Sequence, residues 1–219
     1  MKKLVYYSLH EATEREKVGC WPQLEPPRRY WKVANNYDKV LDFRKFPEEV
    51  PNLDNFTLKN IAKRTDVLSA EMPGVGGNVG MFVNEKFKTL IGNFALKDCR
   101  FYDCKLLAPF DENFKKRKEP EVFQFYYLNL IHKTDLVDFK QSVFEDLKTS
   151  QMVTVENEEQ RDPFLRPRKL CLKEAPDLFC APYDINILVS EQLKTAIEAA
   201  GITGVWFDDR IVCEFYTNE

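Results

Sequence analysis

The chain has 219 residues, with 32 Lys and Arg against 35 Asp and Glu for a net charge of −3; 44 % of residues are apolar and 31 % charged. That mix is ordinary for a globular protein and excludes disordered, collagen-like and disulfide-scaffold classes. Only 2 histidines are present, which argues against His-rich metal or triad chemistry. The near-neutral balance supplies no field to draw nucleic acid or an anionic membrane. No stretch approaches the roughly 18 consecutive apolar residues of a membrane-spanning helix. The N-terminal MKKLVYYSLHEATEREK has too short an apolar run for a secretory leader. The cysteines (Cys20, Cys99, Cys104, Cys171, Cys180 and Cys213) form no CxxC pair. They read as mostly buried free thiols in a reducing compartment, so a cytoplasmic protein is expected.

Taken in chain order, Lys3 to Leu9 reads as a strand, and Arg15 to Pro51 is irregular and punctuated by proline. Gly74 to Gly80 carries four of the 8 glycines, but Val79 stands where a dinucleotide fingerprint needs glycine and no helix follows directly. The loop is read as a flexible entry to a strand, with no cofactor implied. Asn84 then starts a helix whose Phe87, Leu90, Ile91 and Phe94 form one apolar stripe. Arg100 to Leu107 is a strand expected to pair with Glu121 to His132 across a loop from Pro109 to Pro120. That loop holds Lys115-Lys116-Arg117-Lys118, which lacks interleaved aromatics and reads as a solvated tip rather than a nucleic-acid site.

Asp138 to Leu147 is expected to form a short helix or turn, with strands at Met152 to Glu156 and Arg168 to Lys173. The acidic Glu156-Asn157-Glu158-Glu159 is the one stretch suited to steering a basic partner. Glu156, Glu158 and Glu159 are therefore the candidate partner-binding residues. Candidate catalytic groups are weaker. Asp66 is a conceivable general base and Asp208-Asp209 a carboxylate pair. His10 and His132 stand alone, and neither a GxSxG elbow nor a metal-ligand spacing occurs.

Shifting the sequence by 106 residues lays Val83 to Leu107 on Val189 to Cys213 without a gap, with seven identical positions, among them Lys88/Lys194, Phe101/Phe207 and Asp103/Asp209. Ser190 matches Asn84 as an N-cap, and Gly201 sits where a helix ends in a left-handed residue. The expectation is an α+β fold with mixed or antiparallel sheets. It would contain two related strand–helix–strand units, at about residues 80–107 and 185–213. The halves 1–113 and 114–219 would each hold one unit, as two domains or one continuous domain.

Two stretches resemble a known family. Phe125 to Ile131 (FYYLNLI), with Leu136-Val137-Asp138 and Ser142, is similar to the YYxLNV…xDALDxxxS core of immunity protein family eleven. Leu188-Val189-Ser190-Glu191, Leu193-Lys194 and Gly201 to Phe207 resemble that family's LVSExLKxxLxxxGLTGVxF ending. The resemblance covers roughly residues 64 to 213. It implies a cytoplasmic, non-enzymatic protein of a bacterial polymorphic toxin system that binds a cognate toxin. It carries no catalytic residue, cofactor or metal, and Asp138, Ser142, Ser190, Gly201 and Phe207 would serve as caps, turns and core. Two rival readings remain from the residues alone: an enzyme assembled from distant carboxylates and cysteines, and a nucleic-acid-binding module.

Overall fold

A computed structural model describes residues 1–27, 45–70, 79–131, 135–157, 164–180, 186–209 and 213–218. In chain order these hold β1 (Lys2–Leu4), β2 (Tyr6–Glu11), α1 (Arg15–Val18), β3 (Leu24–Glu25), β4 (Thr57–Leu58), β5 (Val67–Leu68) and β6 (Val79–Val83). Next come α2 (Glu85–Ile91), β7 (Cys99–Phe110), β8 (Lys116–Leu130), a 3-10 turn at Phe139–Gln141, β9 (Val143–Asp146) and β10 (Gln151–Val153). The last elements are β11 (Leu165–Leu172), β12 (Leu178–Cys180), β13 (Ile187–Ser190), α3 (Glu191–Ala199), β14 (Val205–Asp208) and β15 (Glu214–Thr217).

The expected α+β class is overturned, because the chain is mostly β: 46 % strand and 13 % helix. It forms a six-stranded sheet (β3-β4-β7-β8-β6-β5), a four-stranded sheet (β12-β13-β2-β14) and a five-stranded sheet (β1-β15-β11-β9-β10). The strand–helix–strand units are overturned with it. β6 and β7 do not pair with each other; both lie antiparallel to β8, which separates them. β13 and β14 are likewise separated by β2, a strand from the start of the chain. α2 and α3 therefore each bridge strands that depend on a third, so neither segment closes its own hydrogen bonds.

The four- and six-stranded sheets meet at two seams and nearly close a barrel. At one seam the Val67 N–H donates to Thr203 O at 3.0 Å, and at the other the Lys97 N–H donates to Leu178 O at 2.8 Å. Closure removes edges that would otherwise carry unpaired backbone groups. Alternation along the strands then feeds three cores. Met81 and Val83 face the barrel core with Leu9, Val189 and the helix residues Phe87 and Leu193. Phe82, between them, faces a second core with Phe56, Tyr102 and Phe125. Tyr6 and Leu188 turn outward to a third core shared with Leu170 and Phe215 of the five-stranded sheet. Each fully buried Phe stabilises the fold by about 1.5–3 kcal/mol. This two-sided burial accounts for the C-terminal end of β8, where Tyr127 to Leu130 are buried in succession because both faces of the strand are covered there.

Positions 106 residues apart do have matching surroundings. Asn84 Oδ1 accepts the Phe87 N–H at 3.0 Å, and Ser190 Oγ accepts the Leu193 N–H at 3.2 Å. Val83 stands opposite Tyr126, and Val189 opposite Tyr7. Lys88 Nζ lies 3.5 Å from the Tyr126 ring centroid, and Lys194 Nζ lies 5.1 Å from that of Tyr7. Asp98 and Gly204 both take positive φ, 50° and 85°, and their carbonyls accept the N–H groups of Ile131 and Ala12.

Several local expectations also change. Lys3 to Leu9 is split at Val5 into β1 and β2, which join different sheets. The loop from Pro109 to Pro120 shrinks to a turn at Asp111–Lys115, because β7 runs on to Phe110 and β8 resumes at Lys116. Asp138 to Leu147 contains a single 3-10 turn before β9. Gly201 is left-handed after α3, with φ 59°. The glycine-rich residues Gly74 to Gly77 lie outside the described residues.

Candidate functional site

The residues with the best claim to chemistry hold the barrel together. Asp66 stands at the first seam, where its carboxylate accepts the Thr203 N–H and Oγ1–H, both at 2.8 Å, and the Asn84 amide at 2.7 Å. Burial pushes its pKa up, but the donors from Thr203 and Asn84 and the nearby Lys86 outweigh that and hold it below the ordinary carboxylate value. A base held ionised by three donors is a poor proton acceptor near neutral pH. Asp208 ends β14. Asp209 lies in a surface groove beside Lys17 and Lys194, so the adjacent carboxylates are not gathered with Asp66. His10 stacks on Trp206, with centroids 4.6 Å apart. His132 lies outside the described residues.

All six cysteines are free, with Cys104, Cys171, Cys180 and Cys213 buried and Cys20 and Cys99 half-buried. Burial pushes the Cys99 thiol up to about 11 and the Cys104 thiol up to about 12. The nucleophilic thiolate is therefore scarce at both. Among the described residues no group of three or more His, Cys, Asp or Glu is placed to hold a metal ion, and no helix is long and apolar enough to cross a membrane.

Two further surface clefts are formed by the described residues. Glu156 is exposed at a cleft of about 410 Å³ with Asp135, Asp138, Lys140 and Lys173. Glu158 and Glu159 lie outside the described residues. The cleft backs onto the 3-10 turn, which Ser142 fastens to β11. Ser142 is fully buried, its Oγ–H donating to Asp138 O at 2.7 Å while its Oγ accepts the Cys171 N–H at 3.0 Å.

The second cleft, about 500 Å³, lies between the β7–β8 tip and residues 58–64, with Leu58, Ala62, Ala108 and Phe110 among its apolar walls. Glu121 bridges Arg64 at 2.9 Å and Arg117 at 3.2 Å across it, and the Arg64 guanidinium stacks 4.1 Å from the Phe123 ring centroid. Phe114 is 58 % exposed at the tip. Nothing in the sequence flagged it, because a bulky residue at positive φ leaves no pattern.

The residues on which the sequence resemblance rests occupy structural posts: Ser142 fastens a turn, Ser190 caps α3, and Phe207 packs against the barrel core. A search of curated proteins finds no match. The model of the Immunity protein family (Imm11) does match, over residues 21–211. That span takes in the barrel strands from β3 to β14 and both of its helices, and on it the chain belongs to the Imm11 immunity protein family.

Proposed function

We propose that this chain is a cytoplasmic immunity protein of a polymorphic toxin system. It binds a cognate bacterial toxin and neutralises it by covering the toxin's working surface, without catalysis of its own. The observation that carries this reading is the family match over residues 21–211. It is supported by the structural employment of Asp66 and by cysteine thiols held protonated by burial. Neutralisation by occlusion asks for a rigid surface complementary to the toxin, and the backbone bonds across both seams support the rigidity. Glu156, with Glu158 and Glu159, forms one contact region and steers a basic patch of the toxin. The halves 1–113 and 114–219 act as one continuous domain, supported by β2 lying between β13 and β14. The matched surroundings of residues 106 apart are read as the trace of an internal duplication.

The test is protection. The chain is co-expressed in a sensitive bacterium with the toxin encoded beside its gene, and a tagged copy is then used for pull-down. Rescue with a stable complex is the expected result. Failure of both with every neighbouring candidate toxin overturns the reading. Glu156→Lys is expected to slow association and to weaken the salt dependence of the on-rate.

A further inference from the structure

We propose that the cleft between the β7–β8 tip and residues 58–64 is a second docking site, for an acidic segment of the toxin that carries one large apolar side chain. This rests on the immunity reading and adds the chemistry of the partner at a cleft that Glu156 does not line. Charge is the first argument. The cleft is lined by four basic residues (Lys59, Lys63, Arg64 and Arg117) against three acidic ones (Asp111, Glu112 and Glu121), and the adjoining tip adds Lys115, Lys116 and Lys118 against Glu119, in a chain whose net charge is −3.

Two of those acids are already engaged. Asp111 Oδ1 accepts the N–H groups of Asn113 at 2.9 Å and Lys115 at 2.8 Å. The single charge of Glu121 is shared by two guanidiniums. Lys59 has no ion-pair partner among the described residues. What faces solvent is thus an apolar floor under a cationic rim, the complement of carboxylates flanking a hydrophobic anchor.

The second argument is how Phe114 is presented. Its φ is 61°, a conformation costly for a bulky residue. The Asp111 carboxylate bonds on either side of it, and its own N–H donates to Asp111 O at 3.0 Å. The main chain that carries the exposed ring at the mouth of the cleft is therefore fixed before binding, which lowers the ordering cost of an aromatic contact there.

The test has two arms on the full chain. In the first, short fluorescein-labelled peptides alternating Glu and Gly around a central Phe are titrated against the wild type, Lys59→Glu and Phe114→Ser, with circular dichroism confirming the fold of each variant. The acidic peptide is expected to bind, and to lose at least about tenfold in affinity in either variant. Equal binding of the same peptide with Lys in place of Glu overturns the proposal, as does displacement of the acidic peptide by an RNA oligonucleotide. In the second arm, Phe114→p-benzoylphenylalanine is irradiated in complex with the protective toxin pair. A crosslink to an Asp- and Glu-rich toxin segment supports the proposal. A complex that forms without crosslinking, or that crosslinks to a basic segment, overturns it. If no toxin binds the wild-type chain, the immunity reading fails, while the peptide titration still decides the cleft.

Discussion

The two ribbons that make the barrel, β5-β6-β8-β7 and β12-β13-β2-β14, share strand order, antiparallel pairing and helix caps. They differ at three places. Leu130, fully buried opposite Cys99, has as its counterpart Glu11 opposite Val205. Asp98 has as its counterpart Gly204. β7 and β8 run for 12 and 15 residues, whereas β14 and β2 run for 4 and 6. What the ribbons share is what closure requires: caps, seams and an inward apolar face. The extra length of β7 and β8 goes beyond that requirement, and the Phe114 tip stands at its end.

Exchanging the positive-φ residues breaks the likeness most severely. At Gly204 a Cβ would sit 2.1 Å from Val67 O, so Gly204→Asp is expected to cost about 3 kcal/mol or more in chemical denaturation. The reverse change, Asp98→Gly, should stay within about 1 kcal/mol because it relaxes a strained φ. The Leu130/Glu11 pair comes next. Burial pushes the Glu11 carboxyl up to about 8, above its unfolded value. Its contribution is thus fully present below the unfolded pKa and lost as pH rises through about 8. Glu11→Leu should raise stability by on the order of 2 kcal/mol above that pH, with the gain shrinking on acidification; thermal melts across pH would record it.

The caps sharpen the likeness with a smaller effect. Asn84→Ala and Ser190→Ala should each cost about 1 kcal/mol, and a large inequality between them would mean that the ribbons are not equally stressed. The smallest effect concerns Asp66. Its folded pKa is depressed, so its contribution is present above the unfolded value and lost as pH falls through the folded one. Asp66→Asn should flatten the acid limb of the wild-type stability profile below about pH 4.

Much of the local structure was legible because its causes are local. Asn84, Ser190 and Gly201 announced helix ends, and the apolar stripes of α2 and α3 declared their buried faces. The fold class was not legible, because it depends on β2 entering between two strands from the other end of the chain, and no local pattern encodes that register. The Lys115 to Lys118 run looked like a loop because charge and proline mark loops, yet an exposed strand end tolerates both. Family membership could be read from short motifs at structural posts. For the same reason those motifs were silent about binding surface, and neither Phe114 nor Glu11 left a signal.

The placement of β2 also sets a timetable. β2 leaves the ribosome about 180 residues before its hydrogen-bonded neighbours, β13 (Ile187–Ser190) and β14 (Val205–Asp208). Pairings this distant in sequence are slow to find, and the exposed strand is open to wrong partners meanwhile. The six-stranded sheet can form once β8 has emerged; the barrel must wait for β14. A chain stopped before residue 205 lacks β14 and with it one seam, so translation must pass β14 before the finished surface exists.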